Sequence, residues 1–102
     1  MQEAYIIGNI TVKDETRWAE YKSKVPDTLI PWGGTLVFRG ETLKGFTNSS
    51  ARADSSHTDN VIIKFPNQQS LDNWIESDAY QALIPNRDLA ANIDLVSYLS
   101  MA

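Results

Sequence analysis

Tyr80 and Arg87 are the two residues whose chemistry and spacing first suggest a binding site. On a continuous α-helix, residues seven positions apart share one face at a separation of about 10.5 Å. A phenol and a guanidinium on that face suit a pocket for a small organic anion or carbonyl compound, which the guanidinium would bind in a bidentate manner. Pro85 lies between them and can interrupt the helix. The alternative is structural, with Tyr80 packed on a sheet and Arg87 paired with Asp88 or Asp94.

Aromatic and polar residues elsewhere in the chain are further candidates, each with two interpretations. Trp18 and Tyr21, together with Trp32, form either an aromatic pocket wall or ordinary core, since their spacing is that of a buried helix face. Asn9 and Arg39 are predicted on one face of a sheet, where they are either site residues or contacts of a dimer. We keep both interpretations for each group.

His57 is the only histidine in the chain, and with Asp54 and Asp59 it forms the one cluster that suggests a metal site. These residues fall in a polar segment, 47–59, which holds no large apolar side chain. We therefore predict a mobile, solvated loop with no metal, and we expect His57→Ala to be tolerated. The chain has no cysteine and no nucleophile elbow, so thiol and serine-triad chemistry are not predicted.

Gly33 and Gly34 raise the question of a phosphate-binding loop. Such loops place their glycines after a strand and before the N-terminus of a helix, where amide groups converge. Here the pair follows a predicted helix and precedes a predicted strand. We interpret it as a turn, in which glycine takes the left-handed conformation that ends a helix.

Length and charge limit the kind of protein and its partners. A chain of 102 residues corresponds to one domain, 1–102, with a single core. The net charge of −4, with nine scattered lysines and arginines, argues against nucleic acid and anionic membrane surfaces. No apolar run reaches the ~18 residues of a membrane span, and the N-terminus lacks a signal-peptide pattern. We therefore expect a cytoplasmic protein.

The elements that must position these residues can be read from the hydrophobic pattern. Asp14 suits the N-cap of a first helix, which Pro26 ends or kinks, and Asn67 caps a second helical region that Ser77 restarts. The order β-α-β-β-α-β predicts an α+β, ferredoxin-like fold, in which an antiparallel sheet carries both helices on one face. The strands are predicted at 4–12, 35–39, 60–65 and 92–99, with 41–46 as a ragged extension of the second.

Alternation along these strands separates their side chains onto two faces. One face is uniformly apolar and suits the helices. The other is half apolar, although an antiparallel sheet open to water is normally more polar there. We therefore predict a homodimer that covers this face and buries on the order of 1,600 Å² in total. The second face is predicted to hold Tyr5, Ile7, Asn9, Val37, Arg39, Ile62 and Lys64.

Two stretches, AEYKSKVPDTLIPWGGTLVFRGE at 19–41 and FPNQQSLDNWIESDAYQALIPNRDLAANIDL at 65–95, resemble the signature of a bacterial family known only as a domain of unknown function. That family lies within the dimeric α+β barrel superfamily. The resemblance covers nearly the whole chain and implies a ferredoxin-like protomer whose sheet packs on that of a partner. It also places an arginine of the family signature at Arg87, for which Asp94 on the last strand is the preferred internal partner.

The superfamily includes cofactor-free monooxygenases, lactone isomerases, haem-degrading enzymes and dye-decolorising peroxidases. Its haem degraders use an asparagine on the first strand and a tryptophan on the second helix, which Asn9 and Trp74 resemble, and a histidine beyond it. No histidine stands there, because His57 lies in the polar loop. The resemblance therefore implies no haem, and no cofactor is expected.

Two function classes remain open from the sequence. The first is a small monooxygenase- or isomerase-type enzyme whose polar contacts come from Arg87, Tyr80, Tyr21 and Arg39. The second is a non-catalytic, small-molecule-binding or stress-associated dimeric module. A pocket with convergent polar groups would favour the enzyme, and a filled core would favour the module.

Overall fold

The structure is a computed structural model, and it describes residues 2–46 and 57–101. None of the helices in these two segments is long and apolar enough to span a bilayer. A single 3-10 turn, Ile30–Trp32, follows the first helix. The elements are β1 Ala4–Val12, α1 Glu15–Leu29, β2 Thr35–Glu41, β3 Asp59–Phe65, α2 Gln68–Glu76, α3 Asp78–Gln81, α4 Ile84–Ala90 and β4 Ala91–Leu99.

The four strands form one sheet in the order β2-β3-β1-β4, and every neighbouring pair is antiparallel. β3 lies between β1 and β2, so α1 must cross over it to connect them. This split arrangement is the ferredoxin-like topology, and it confirms the predicted α+β class. Side chains of β1 and β3 alternate between buried and half-buried, and the buried ones form one core with the helices.

α1 begins after Asp14, as its sequence predicts, and it continues beyond Pro26. Asp14 Oδ1 accepts a hydrogen bond from the backbone N–H of Arg17 at 3.1 Å, which fixes the N-terminus. Pro26 lies inside the helix, which continues to Leu29. The proline removes the donor that would bond to the carbonyl of Lys22. The sequence predicts that Pro26 either ends or kinks the helix. The first alternative is wrong, because burial of Thr28 and Leu29 stabilises one further turn.

Gly33 and Gly34 form the turn into β2, as the sequence predicts. Gly33 has a φ of 70°, in the left-handed region, and its N–H donates to the carbonyl of Ile30 at 3.3 Å. Gly34 packs so closely that an added Cβ would lie 2.7 Å from Leu29 Cδ2 and 2.9 Å from Phe65 Cε1. The pair therefore ends a helix and lets the chain pass close to the core.

We expect Gly34→Ala to lower the free energy of unfolding by about 1–3 kcal/mol, the cost of overpacking a filled core. Phe65 is fully buried, so the crowded ring has little room to move. Gly45→Ala is the matched control, because a Cβ added there would meet no atom within 4 Å. Urea denaturation of both variants measures the difference, and equal stability would contradict this account of the turn.

The second helical region is broken between Tyr80 and Arg87. Asn67 Oδ1 caps α2 by accepting from the N–H of Ser70 at 2.8 Å, and Ser77 caps α3. α3 ends at Gln81 and α4 starts at Ile84, with Pro85 in its first turn. Tyr80 and Arg87 therefore sit on different helices, and no continuous helix face joins them.

The sheet face away from the helices carries rows of side chains that cross three strands. Ile7 lies between Ile62 and Val96, which forms an apolar row. Asn9 and Asn60 share a polar row with Asp94, and Tyr5 lies between Lys64 and Tyr98. We call this surface the open face. Its mixture of apolar and polar rows agrees with the alternation predicted for these strands.

A bulge in β2 changes the face on which Arg39 lies. Leu36 pairs with Ile63, but Phe38 pairs with Ile62, so Val37 is an extra residue with no partner. Arg39 consequently pairs with Val61, on the helix side of the sheet. The prediction that Arg39 shares a face with Asn9 is therefore wrong, because one extra residue reverses every later side chain of a strand.

The β2–β3 connection begins at residue 42, where regular structure stops. Residues 42–46 form no strand, so the ragged extension of β2 is not observed. The N–H of Thr42 donates to the carbonyl of Thr58 at 2.9 Å, which holds the two ends of the connection together. The predicted mobile loop falls mainly on residues 47–56, which lie outside the described residues.

Candidate functional site

A cavity of about 300 Å³ lies between α1 and the sheet. Apolar side chains supply most of its lining, and they come from α1, α2 and all four strands. They include Trp18, Leu29, Val61, Ile63, Trp74 and Leu95. The cavity thus has the apolar walls typical of a small-molecule site.

A few polar side chains line the same cavity, and cations outnumber carboxylates among them. Lys22 follows Tyr21 on α1, and the bulge of β2 brings Arg39 to this side. Asp59, at the start of β3, is the carboxylate among the lining residues. Within 2–46 and 57–101, neither Lys22 nor Arg39 forms an ion pair. A negatively charged ligand group would therefore be favoured here.

Tyr21, Tyr80, Arg87 and Asp88 form a chain of hydrogen bonds that runs from the cavity wall to the surface. The hydroxyls of Tyr21 and Tyr80 are 3.0 Å apart, and Arg87 Nη1 donates to the Tyr80 hydroxyl at 3.0 Å. Arg87 also donates from Nε and Nη2 to Asp88 Oδ1, at 3.1 and 3.0 Å. The side chain of Asp88 is 59% exposed and that of Arg87 only 17%.

Two members of this chain, Tyr21 and Arg87, have pKa values above their usual ones. Burial raises the pKa of Tyr21 well above its usual value, and the neighbouring Tyr80 raises it further, while Arg87 opposes both. Burial lowers the pKa of Arg87, but its hydrogen bonds to Tyr80 and Asp88 outweigh that and raise it overall. Tyr21 is thus a neutral phenol and Arg87 a cation.

We expect the protein to lose stability above about pH 10, the ordinary pKa of tyrosine. The folded state holds the Tyr21 proton more tightly than the unfolded state, so stability is full below that pH. As pH rises further, the unfolded chain releases the proton first, and stability falls by about 1.4 kcal/mol per pH unit. Urea denaturation at several pH values within about two units of the ordinary tyrosine pKa measures how the free energy of unfolding decreases with pH. We expect a smaller decrease in Tyr21→Phe than in wild type. Parallel curves would contradict the assignment.

Two tryptophans of the cavity wall differ in how their N–H groups are satisfied. Trp74 Nε1 donates to Thr28 Oγ1 at 2.9 Å, and the Trp74 ring packs on Tyr80 at 4.2 Å between centroids. Trp18 stacks on Tyr21 at 5.2 Å, but its buried Nε1 has no hydrogen-bond partner among the described residues. A buried donor in that state is uncommon in native structures.

The structure brings together some of the predicted site residues and separates others. Trp18, Tyr21, Arg39 and Trp74 all line the cavity. Tyr80 and Arg87 are not lining residues but reach Tyr21 through hydrogen bonds, and Trp32 packs at the edge of the core.

Asn9 lies on the open face, where its Oδ1 accepts from Asn60 Nδ2 at 2.8 Å. The sheet therefore separates Asn9 from Trp74, and the pair that resembles haem-degrading enzymes does not share one pocket.

Of the two structural partners predicted for Arg87, the preferred one, Asp94, is wrong, and the other, Asp88, is observed. Asp94 pairs with Asn9 across β1 and β4 on the open face, whereas Arg87 binds Tyr80 and Asp88. Asp88 is the next residue in α4 and lies within hydrogen-bond distance of the guanidinium, whereas Asp94 lies on the open face of the sheet.

Only part of the possible metal cluster falls within the described residues, since Asp54 lies outside them. Among residues 2–46 and 57–101, no group of three His, Cys, Asp or Glu residues is placed to hold a metal ion. His57 precedes β3 by two residues and Asp59 is the first residue of that strand. Of the two, only Asp59 lines the cavity.

Lys22 and Thr35 are polar lining residues that the sequence did not indicate, and it indicated Asp59 only as a possible metal ligand. The sequence could have indicated that Asp59 faces the core. When the predicted strand is extended by one residue, Asp59 lies on the same face as Val61 and Ile63. Lys22 and Thr35 had no such signal, since both look like ordinary surface residues until the cavity is seen.

The sequence matches a family model described as Domain of unknown function (DUF1330) over residues 3–98. No curated protein matches the chain by sequence.

Solved structures resemble the whole chain in shape. A protein of unknown function from Rhodopseudomonas palustris is 13% identical, with a TM-score of 0.77 over 99% of this chain and 84% of that one. SnoaB, a cofactor-independent oxygenase from Streptomyces nogalater, is 7% identical, with a TM-score of 0.68 over 100% and 96%. A dimeric ferredoxin-like protein of unknown function from Thermobifida fusca is 10% identical, with a TM-score of 0.67 over 97% and 92%. At such identities the likeness shows the ferredoxin-like fold.

Proposed function

The chain belongs to the family described as Domain of unknown function (DUF1330), and for this member we propose a small cofactor-independent enzyme of the monooxygenase or isomerase type. Its substrate is a small organic anion or carbonyl compound, and its site is the cavity beneath α1. The observation that carries this proposal is the cavity itself, because a filled core would leave no room for a substrate.

The charged lining residues suit proton transfer at a carbon next to a carbonyl group. Asp59 is suited to accept such a proton, because it is the carboxylate among the lining residues. Lys22 and Arg39 are suited to stabilise the negative charge that then develops on the substrate. The resulting carbanion or enolate is the species that either regains a proton elsewhere, as in an isomerase, or reacts with oxygen.

The similarity to SnoaB supports the oxygenase branch at the level of the fold alone. Its description as a cofactor-independent oxygenase shows that this architecture hosts oxygen chemistry without a bound cofactor in that protein. Fold does not determine activity, so the proposal depends on the residues of this cavity.

We also propose that the protein is a homodimer that packs one open face on another. The apolar row Ile62–Ile7–Val96 crosses the centre of that face, which is unusual for a sheet exposed to water. The Thermobifida fusca neighbour is described as dimeric, which supports the same assembly here.

Native mass spectrometry of freshly purified protein tests the cavity as a binding site. We expect a small organic acid or carbonyl compound to co-purify and to be identifiable after release. Arg39→Gln should lower its occupancy, whereas Arg17→Gln, on the exposed side of α1, should not. The proposal would be contradicted if the protein purifies without a ligand and if small carboxylic acids and ketones leave its melting temperature unchanged. If the bound ligand is chemically unchanged after incubation of the complex in aerobic buffer, the non-catalytic binding module would be favoured over the enzyme.

A further inference from the structure

The cavity beneath α1 crosses the full width of the sheet. Arg39 on β2 and Leu95 on β4 both line it, and these two strands are the edges of the sheet. Neighbouring strands lie about 4.8 Å apart, so three spacings separate the edge strands by about 14 Å. A volume of about 300 Å³ that extends over this width is long and narrow. A ligand that fills the cavity must therefore be elongated.

A second cavity, of about 430 Å³, lies between α2 and the strands β1 and β4. The two cavities follow one another along β4, since Ile93 lines only the first, Leu95 lines both and Ser97 lines only the second. These three side chains project from the same face of the strand, because they alternate with residues of the other face. Leu95 therefore stands at the boundary between the two cavities.

Gly8 determines where the Leu95 side chain can lie. It sits on β1 between Val61 and Leu95, and a Cβ added to it would lie 2.7 Å from Leu95 Cδ2 and 2.9 Å from Val61 Cγ1. The Leu95 side chain thus occupies space above β1 that a side chain on Gly8 would fill. Because Leu95 leans inward from the edge of the sheet, it forms a wall between the two cavities.

The charged residues that line the two cavities differ. The first cavity has two cations, Lys22 and Arg39, and one carboxylate, Asp59. The second has two carboxylates, Asp72 and Glu76, and no cation among the described residues that line it. Opposite charges attract and like charges repel, most strongly where water is excluded. An anionic group of a ligand is therefore favoured in the first cavity and disfavoured in the second.

We propose that the ligand is an elongated monoanion, whose charged end lies in the first cavity and whose uncharged apolar tail ends at Leu95. Leu95 then sets the longest tail that the site accepts, and Gly8 is a positioning residue that leaves room for Leu95 to lean over β1. Along the sheet the tail packs on apolar lining residues such as Val61 and Ile63. This inference rests on the proposed function, because it names the class of substrate for the same cavity.

Straight-chain carboxylates from butyrate to dodecanoate, kept below their micelle concentrations, test the inference by isothermal titration calorimetry. Each added methylene group should tighten binding to wild-type protein about fourfold while it is buried. We call the chain length at which this gain stops the length limit, and we expect it where the tail reaches Leu95. In Leu95→Ala the length limit should move to longer chains, because the tail can then enter the second cavity.

Leu99→Ala is the matched control for Leu95→Ala. It makes the same substitution on the same face of β4, at a residue that lines neither cavity. Its length limit should equal that of wild type. Leu95→Val, which removes a single methylene group, is the substitute if Leu95→Ala does not fold, and it should move the length limit in the same direction.

Dicarboxylates of the same chain lengths test the orientation of the ligand. They place a second charge at the tail, so they should bind wild-type protein at least about tenfold more weakly than the monocarboxylates. Arg39→Gln should weaken the binding of every monocarboxylate by a similar factor and leave the length limit unchanged, because it acts on the charged end alone.

The outcomes that overturn the inference differ from those that overturn the proposed function. If the carboxylates bind but Leu95→Ala keeps the length limit of wild type, Leu95 does not end the site. If dicarboxylates bind as tightly as monocarboxylates, the proposed orientation is wrong. If no carboxylate binds although a ligand co-purifies with the protein, the inference fails and the proposed function stands. If nothing binds or co-purifies, the cavity is not a ligand site and both fail.

Discussion

We expect Ile7→Asp to convert a homodimer into a monomer at micromolar concentration. Ile7 lies in the middle of the apolar row of the open face, with Ile62 on one side and Val96 on the other. In the proposed assembly, a carboxylate there would enter a buried interface without a partner, which costs several kcal/mol. Sedimentation velocity on the folded variant measures the change in mass.

Ile62→Asp should behave in the same way, because it adds the same charge to the same row. Gln69→Asp is the matched control, since it adds a carboxylate to an exposed position on α2, on the other side of the sheet. It should leave the mass unchanged. Wild-type protein that sediments as a monomer at micromolar concentration would remove the dimer from the proposal.

Arg87→Ala should lower the free energy of unfolding by about 2–3 kcal/mol, the range for a hydrogen bond to a charged group whose loss leaves a buried partner. The change removes the hydrogen bond that Arg87 donates to the Tyr80 hydroxyl, and it also removes the partner of the Asp88 carboxylate. Asp88 is mostly exposed, so it recovers water, and the cost falls mainly on Tyr80. Urea denaturation measures the difference.

Arg17→Ala is the matched control, because Arg17 is 49% exposed and forms an exposed pair with Asp14 at 3.5 Å. An exposed pair of this kind stabilises by at most about 1 kcal/mol. The competing role for Arg87 is a ligand clamp. In that case Arg87→Ala would melt like wild type, and small carboxylic acids would raise the melting temperature of wild type alone.

The parts of the fold that follow from local rules could be predicted from the sequence. Asp14 and Asn67 cap helices where a side chain of that type precedes an apolar stripe. The alternation in β1 places Ile6 and Ile10 in the core and Asn9 opposite them, because a strand turns each residue to the other face. The glycine pair behaves as a turn for an equally local reason.

The parts that the sequence could not predict depend on contacts between distant residues. Tyr21 and Tyr80 are 59 positions apart, and nothing near either residue indicates that their hydroxyls meet. α1 passes through Pro26 because burial of Leu29 in the core outweighs a local rule. The candidate site accordingly became visible only when the cavity showed that Tyr21 and Arg39 line the same space.

The bulge at Val37 has a consequence for comparing this chain with its relatives residue by residue. A relative whose second strand pairs without a bulge has one residue fewer before the position equivalent to Arg39. Correct alignment then requires a gap opposite Val37, in the middle of a strand, where gaps are usually avoided. Without that gap, Arg39 and Leu36 cannot both be aligned with cavity residues of the relative. The alignment column that contains Arg39 would then combine cavity residues of some relatives with open-face residues of others, and its substitutions would reflect ligand binding and assembly together.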